Sequence, residues 1–139
     1  MSVQTIKTAI KNKLDAMGTL KAAFTYETGN PDGKYPFATV TLRDGGGIFR
    51  TTSHNQRRYG YWIRIYQEQS KLGQGISDAE DISANVIDEM MTAFDMDTTL
   101  SGICKYVDVI SYTADYKNRE IDARILEVEV DAYDIVSSL

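Results

Sequence analysis

One cysteine, one histidine and one tryptophan occur among 139 residues, and no apolar run reaches 18. Each scarcity excludes something. With Cys104 alone, no intrachain disulfide can form, which suits a reducing compartment such as a cytoplasm. One histidine and one cysteine cannot supply a zinc site within a single chain, so no metal centre and no cofactor is expected. The lack of a long apolar run excludes a membrane-spanning helix. Met1 to Lys7 mixes lysine among isolated apolar residues and does not read as a secretory signal.

What is present is ordinary for a globular chain: 42% hydrophobic and 25% charged residues, in a length that suits one domain over 1–139 with one core. The net charge of −5 hides an uneven distribution. Residues 1–75 carry eleven Lys/Arg against five Asp/Glu, or +6, and residues 76–139 carry four against fifteen, or −11. Either both sets are simply solvated, or a basic surface of one subunit meets an acidic surface of the next in a head-to-tail contact. The acidic half argues against a general nucleic-acid binder.

Periodicity predicts an α+β fold in the order α-β-β-β-α-β-β: an antiparallel or mixed sheet of about five strands with two helices on one face. Val3, Ile6, Ile10, Leu14 and Met17 form a helical stripe that Gly18 is placed to end. Strands are expected around Leu20–Tyr26, Phe37–Leu42 and Tyr59–Tyr66, the last with Tyr59, Tyr61, Ile63 and Ile65 inward. Between them, Asn30-Pro31-Asp32-Gly33 is a turn. Ser77-Asp78-Ala79-Glu80 fits a capping box for the second helix, whose stripe of Ala79, Ile82, Val86, Met90 and Ala93 is widened by Ile87, Met91 and Phe94. Two long strands follow, from about Lys105 to Tyr116 and from Glu120 to Ile135. In the last, the apolar positions change parity from Ile121, Ala123 and Ile125 to Leu126, Val128, Val130 and Ala132. That predicts a bulge near Ile125–Leu126, or two halves that face different partners.

No catalytic set emerges, and an enzyme is not expected. His54 has no nucleophile set beside it, and Cys104 reads as a small core residue. Asp95-Met96-Asp97 opens like a calcium loop, but Leu100 stands at the glycine position and Tyr106 at that of the bidentate glutamate. Asp97 is better read as capping a turn through Thr98 and Thr99. Gly45-Gly46-Gly47 leads into Ile48-Phe49-Arg50 and not into a phosphate loop and helix. An exposed strand face accounts for Glu127, Glu129 and Asp131.

The candidate functional segment is a long, basic, glycine-rich loop or extended hairpin tip at about 43–58, with Arg43, Arg50, Arg57, Arg58, Phe49 and His54. Those arginines with Phe49 and Tyr59 are suited to a phosphate backbone and a stacked base, or the segment orders against another protein, which is the reading favoured here.

Three stretches resemble tail-terminator and tail-completion proteins of long-tailed bacteriophages. The first is the helix Ser77–Phe94 with its exit through Thr99-Leu100-Ser101-Gly102, where such proteins carry a Thr-Leu-Gly-Gly-like turn and this chain has a serine at the first glycine. The others are the aromatic strand Tyr61-Trp62-Ile63-Arg64-Ile65-Tyr66 and the closing strand Ile125–Tyr133. The resemblance implies a virion protein of the tail or neck that forms a homo-oligomeric, hexameric ring on the head-proximal end of the tail tube. Its partners would be the tail tube protein and the head connector or head-completion protein, with DNA passing through the lumen and no membrane involved. Alternatives are a head-completion or neck adaptor protein and, from another class, a small single-strand nucleic-acid-binding domain.

Overall fold

The computed structural model describes residues 3–26, 36–49, 54–68, 74–100, 102–118 and 123–137. Helix α1, Val3–Asp15, buries Ile6, Ile10 and Leu14 completely. Each side chain so buried contributes roughly 2 kcal/mol from the apolar surface removed from water. The helix ends at Asp15, ahead of Gly18, whose φ is not left-handed. A tightened last turn, with the Met17 amide on the Leu14 carbonyl at 3.1 Å, carries Met17 back into the core and makes a glycine stop unnecessary.

Strand β1 is only Ala22–Phe24 and pairs in parallel with the start of β2, Phe37–Phe49. Then come β3, His54–Glu68, helix α2, Gln74–Met96, and strands β4, Tyr106–Asn118, and β5, Ala123–Ser137. The element order is the expected one. The sheet runs β1-β2-β3-β5-β4 and is mixed, because every pair except β1–β2 is antiparallel. Both helices pack on one face, α1 over β1 and β2, α2 over β3 and β4. Between helices and sheet lie Val86, Met90 and Phe94 from α2, Val40 from β2, Tyr61, Ile63 and Ile65 from β3, and Leu126, Val128 and Val130 from β5. Lys13 and Asp97, 2.9 Å apart, tie α1 to the end of α2.

Three sequence expectations change. The segment 43–58 is not a loop over most of its length. β2 continues through Gly45-Gly46-Gly47 to Phe49 and stays paired with β3, Gly46 opposite Arg58 and Phe49 opposite Asn55, so the hairpin reading holds. Backbone pairing to β3, itself held by β5 as far as His54–Ser137, supplies order that the glycines lack on their own. One extra residue between Leu42 and Gly45 makes a bulge, and a Cβ at Gly45 would lie 2.8 Å from the Arg58 carbonyl oxygen.

Second, α2 starts at Gln74, so Ser77 is a helical residue and not the cap. A capping box is worth roughly 1 kcal/mol, less than the burial of Val86, Met90 and Phe94 that fixes where this helix lies.

Third, β5 has no bulge near Ile125–Leu126. It pairs residue for residue with β3, and the irregularities sit opposite, in β4, at Val109/Ser111 and Asp115/Asn118. The parity change separates two faces. Leu126, Val128, Val130 and Ala132 join the helix-side core, whereas Ile125 packs with Phe37 and Tyr66 on the other face, where those two rings stack at 4.7 Å.

Cys104 is a core residue, as expected. Burial above all, with the charges of Asp134 and Asp97, pushes its thiol up to about 11. At pH 8 such a thiol holds about a hundredfold less thiolate than one at the ordinary 9.0. The folded chain should therefore react with a disulfide reagent at that pH at least about tenfold more slowly than the chain in urea, since the thiolate is scarcer though more nucleophilic. Equal rates would show a thiol open to solvent.

Candidate interaction surface

Beside the patch of Phe37, Tyr66 and Ile125, the face of the sheet away from the helices is polar, and its residues meet by cross-strand register. Along β5, Glu127, Glu129, Asp131 and Tyr133 alternate with the core residues. Opposite them on β3 stand Arg64, Trp62, Gly60 and Arg58. Beyond β3, the bulge of β2 places Arg43 and Asp44 above Gly60.

These side chains form one connected network. Asp131, with only 5% of its side chain exposed, accepts a short hydrogen bond from the Arg43 guanidinium and a second contact from Arg58 Nη1 at 3.3 Å. Arg58 also reaches Asp44 Oδ1 at 3.0 Å, and the Tyr133 hydroxyl donates to Asp131 Oδ2 at 3.4 Å. Arg43 stands 3.9 Å from Glu129, and Arg64 stands 3.8 Å from Glu127. The Trp62 ring lies between two guanidiniums, Arg43 at 5.8 Å and Arg64 at 5.5 Å from its centroid, and so covers apolar surface while stacking on charge. Tyr106 stacks on Tyr133 at 4.5 Å at the end of the row.

The Arg58 hydrogen bond holds the Asp44 carboxyl below its ordinary value against the opposing effect of burial, which is next in size, and the charges of Arg43 and Arg58 add to the lowering. Because the folded value is the lower one, Asp44 adds stability at pH above its unfolded value near 3.8 and loses it as pH falls through the folded value. Asp44→Asn should therefore lower stability at neutral pH and leave it almost unchanged below the folded value, so that the acid limb of a stability-against-pH curve is flattened. An unaltered acid limb would count against this ion pair.

Gly60 makes room for the network. A Cβ there would lie 2.8 Å from Arg43 Nη2 and 2.9 Å from the Asp44 carbonyl, so the bulge itself would have to move. Gly60→Val should cost about 2 kcal/mol of stability, as overpacking does. Gly46→Val, whose Cβ meets nothing within 4 Å, should cost far less. Urea midpoints of the two variants measure the difference.

Of the residues singled out from the sequence, Arg43 and Arg58 come together on Asp131. Arg57 is exposed and lies across Gly47, on the opposite side of the hairpin. Arg50 lies outside the described residues, as do the side chains of Phe49 and His54. The acidic alternation on β5 is not a merely solvated face, because Asp131 is buried and bound by arginine. Asp131, Asp44, Arg64 and Trp62 are members of this network that the sequence did not mark as candidates. Their signal was the matched alternation of Arg58, Trp62 and Arg64 with Glu127, Glu129 and Asp131, readable only once the β3–β5 register is known.

Chemically the network is a clamp. Its central carboxylate is occupied by two guanidiniums and a phenol, and among the described residues no group of three or more His, Cys, Asp or Glu is placed to hold a metal ion. On the helix side, a cleft of about 320 Å³ opens between Val3, Leu42, Tyr59 and Tyr61.

No protein-family model matches the chain, and no curated protein does. Solved structures do match. A chain from the "Virion of native gene transfer agent (GTA) particle" is 11% identical and superposes with a TM-score of 0.59, covering 96% of this chain and 95% of that one. The likeness takes in nearly the whole of both chains and is one of fold.

Proposed function

We propose that this chain is a structural protein of a virion: a subunit of a ring at the head-proximal end of a phage tail tube, which stops tube growth and joins the tail to the head connector. The observation that carries this reading is the near end-to-end likeness of fold to a chain of a virion particle. The character of the surface supports it. The polar cluster around Asp131 is a set of paired charges on a sheet, which makes a surface for contact and not a pocket for reaction. The proposed role is accordingly non-enzymatic, with six copies in the ring, as the resemblance of the exit turn and closing strand to tail terminators implies.

Deletion of the gene, followed by electron microscopy of the particles, tests the role. Overlong tails are the expected result. Filled heads that leak DNA would move the protein to the head side, as a completion or adaptor protein, and particles of normal form would overturn the reading. Within the ring, Arg57 is the basic side chain suited to a lumen, since Arg43 and Arg58 are engaged by Asp131. Arg57→Glu should slow DNA passage while tails still join heads.

A further inference from the structure

The sheet ends in two edges that, among the described residues, no further strand covers along their whole length. β4 is the terminal strand on one side. On the other side β1 covers β2 only at Phe37–Thr39, so from Val40 to Phe49 β2 has β3 on one flank and, among the described residues, no strand on the other. Long open edges are usually blunted by charge, proline or cover. Here β4 displays Tyr106, Ile110 and Tyr112 at 42%, 47% and 57% exposure, and beside the open part of β2 Leu42 is 61% exposed. Gly45-Gly46-Gly47 carries no side chains to fend off a second backbone.

The two edges suit one another. Because β2–β3, β3–β5 and β5–β4 are all antiparallel, β2 and β4 run in opposite directions. If two copies are related by rotation about an axis along the strands, β4 of one lies antiparallel to β2 of the next, and the helices of both stay on one side. Such a contact is heterologous, and it closes into a ring when the rotation is a whole fraction of a turn. Tyr112, opposite Val128 in the register, points to the helix side, where the cleft of Val3, Leu42, Tyr59 and Tyr61 offers apolar lining.

We infer that β4 of one copy adds as a strand to the glycine-rich half of β2 of a second copy, and that repetition of this contact builds the ring. The inference rests on the ring reading above. Its test uses two full-length variants, Gly46→Cys and Ile110→Cys, since native Cys104 is buried. Each is oxidised alone and mixed with the other, and native mass spectrometry of the unmodified chain gives its assembly state. The expected result is a disulfide-linked dimer in the mixture at least tenfold more abundant than in either variant alone, and Ile110→Lys should abolish assembly of an otherwise folded chain. A ring by mass without preferential mixed cross-linking overturns the edge contact and leaves the ring standing. A chain that stays monomeric at millimolar concentration, without the mixed product, overturns both.

Discussion

Asp131→Ala should lower the free energy of unfolding by about 3–4 kcal/mol, close to the cost of breaking a buried ion pair by removing one partner. The reason is the asymmetry of burial. Arg43 has 15% of its side chain exposed and Asp131 has 5%, so neither can turn to water when the other is lost. Alanine would leave the Arg43 guanidinium pressed against Trp62 with only the more distant Glu129 and its neighbour Asp44 to balance it. Arg58, more exposed, would keep Asp44. By contrast Glu129→Gln, at 3.9 Å from Arg43 and a third exposed, should cost below about 1 kcal/mol. Urea unfolding, read as a shift in midpoint at constant slope, checks both. A second variant separates the penalty of a stranded charge from the worth of the pair. Arg43→Met combined with Asp131→Ala should recover part of the loss, because no unpaired buried charge then remains. A double variant as weak as the sum of its parts would mean that Asp131 acts through packing alone.

The sequence made the layers of this fold legible and left the surface chemistry hidden, for reasons that particular residues make plain. Ile6, Ile10 and Leu14 at helical spacing, and Tyr61, Ile63 and Ile65 at strand spacing, announce elements whose burial depends only on their own period. The boundaries of those elements depend on partners. Glycines 45–47 read as a loop because glycine has weak local preference, and they became strand because β3 supplies the pairing. The same holds for the parity change at Ile125 and Leu126. Seen along one strand it requires a bulge, whereas the structure has a second apolar patch of Phe37 and Tyr66 waiting on the far face. The clamp at Asp131 was least legible of all. It joins residues 43, 58 and 131 through a register that no local pattern states, and through a glycine at position 60 whose only sign is the absence of a side chain.

The other large effect should come from the helix layer. Phe94→Ala removes a ring that is 2% exposed and closes the C-terminal end of the core under α2, at a cost of about 4 kcal/mol. For a domain whose whole stability is roughly 5–15 kcal/mol, such a loss leaves little margin. Two outcomes of helix weakening are distinguishable. If α2 merely came away, the native state would already expose Tyr61, Ile63 and Val128, less surface would remain to be exposed on unfolding, and the urea slope would fall with the midpoint. Among the described residues, however, the sheet has no other cover on that side, since α1 lies over β1 and β2 while α2 lies over β3 and β4. The uncovered middle strands would not persist. We therefore expect the midpoint to drop while the slope stays constant, with helix signal and tyrosine fluorescence lost in one transition. Met96, two residues further along the same helix and 83% exposed, gives the contrast: Met96→Ala should leave the midpoint where it was. A slope that falls in Phe94→Ala would mean that α2 and the sheet are separable, and that the surface offered to neighbouring subunits does not depend on the helix behind it.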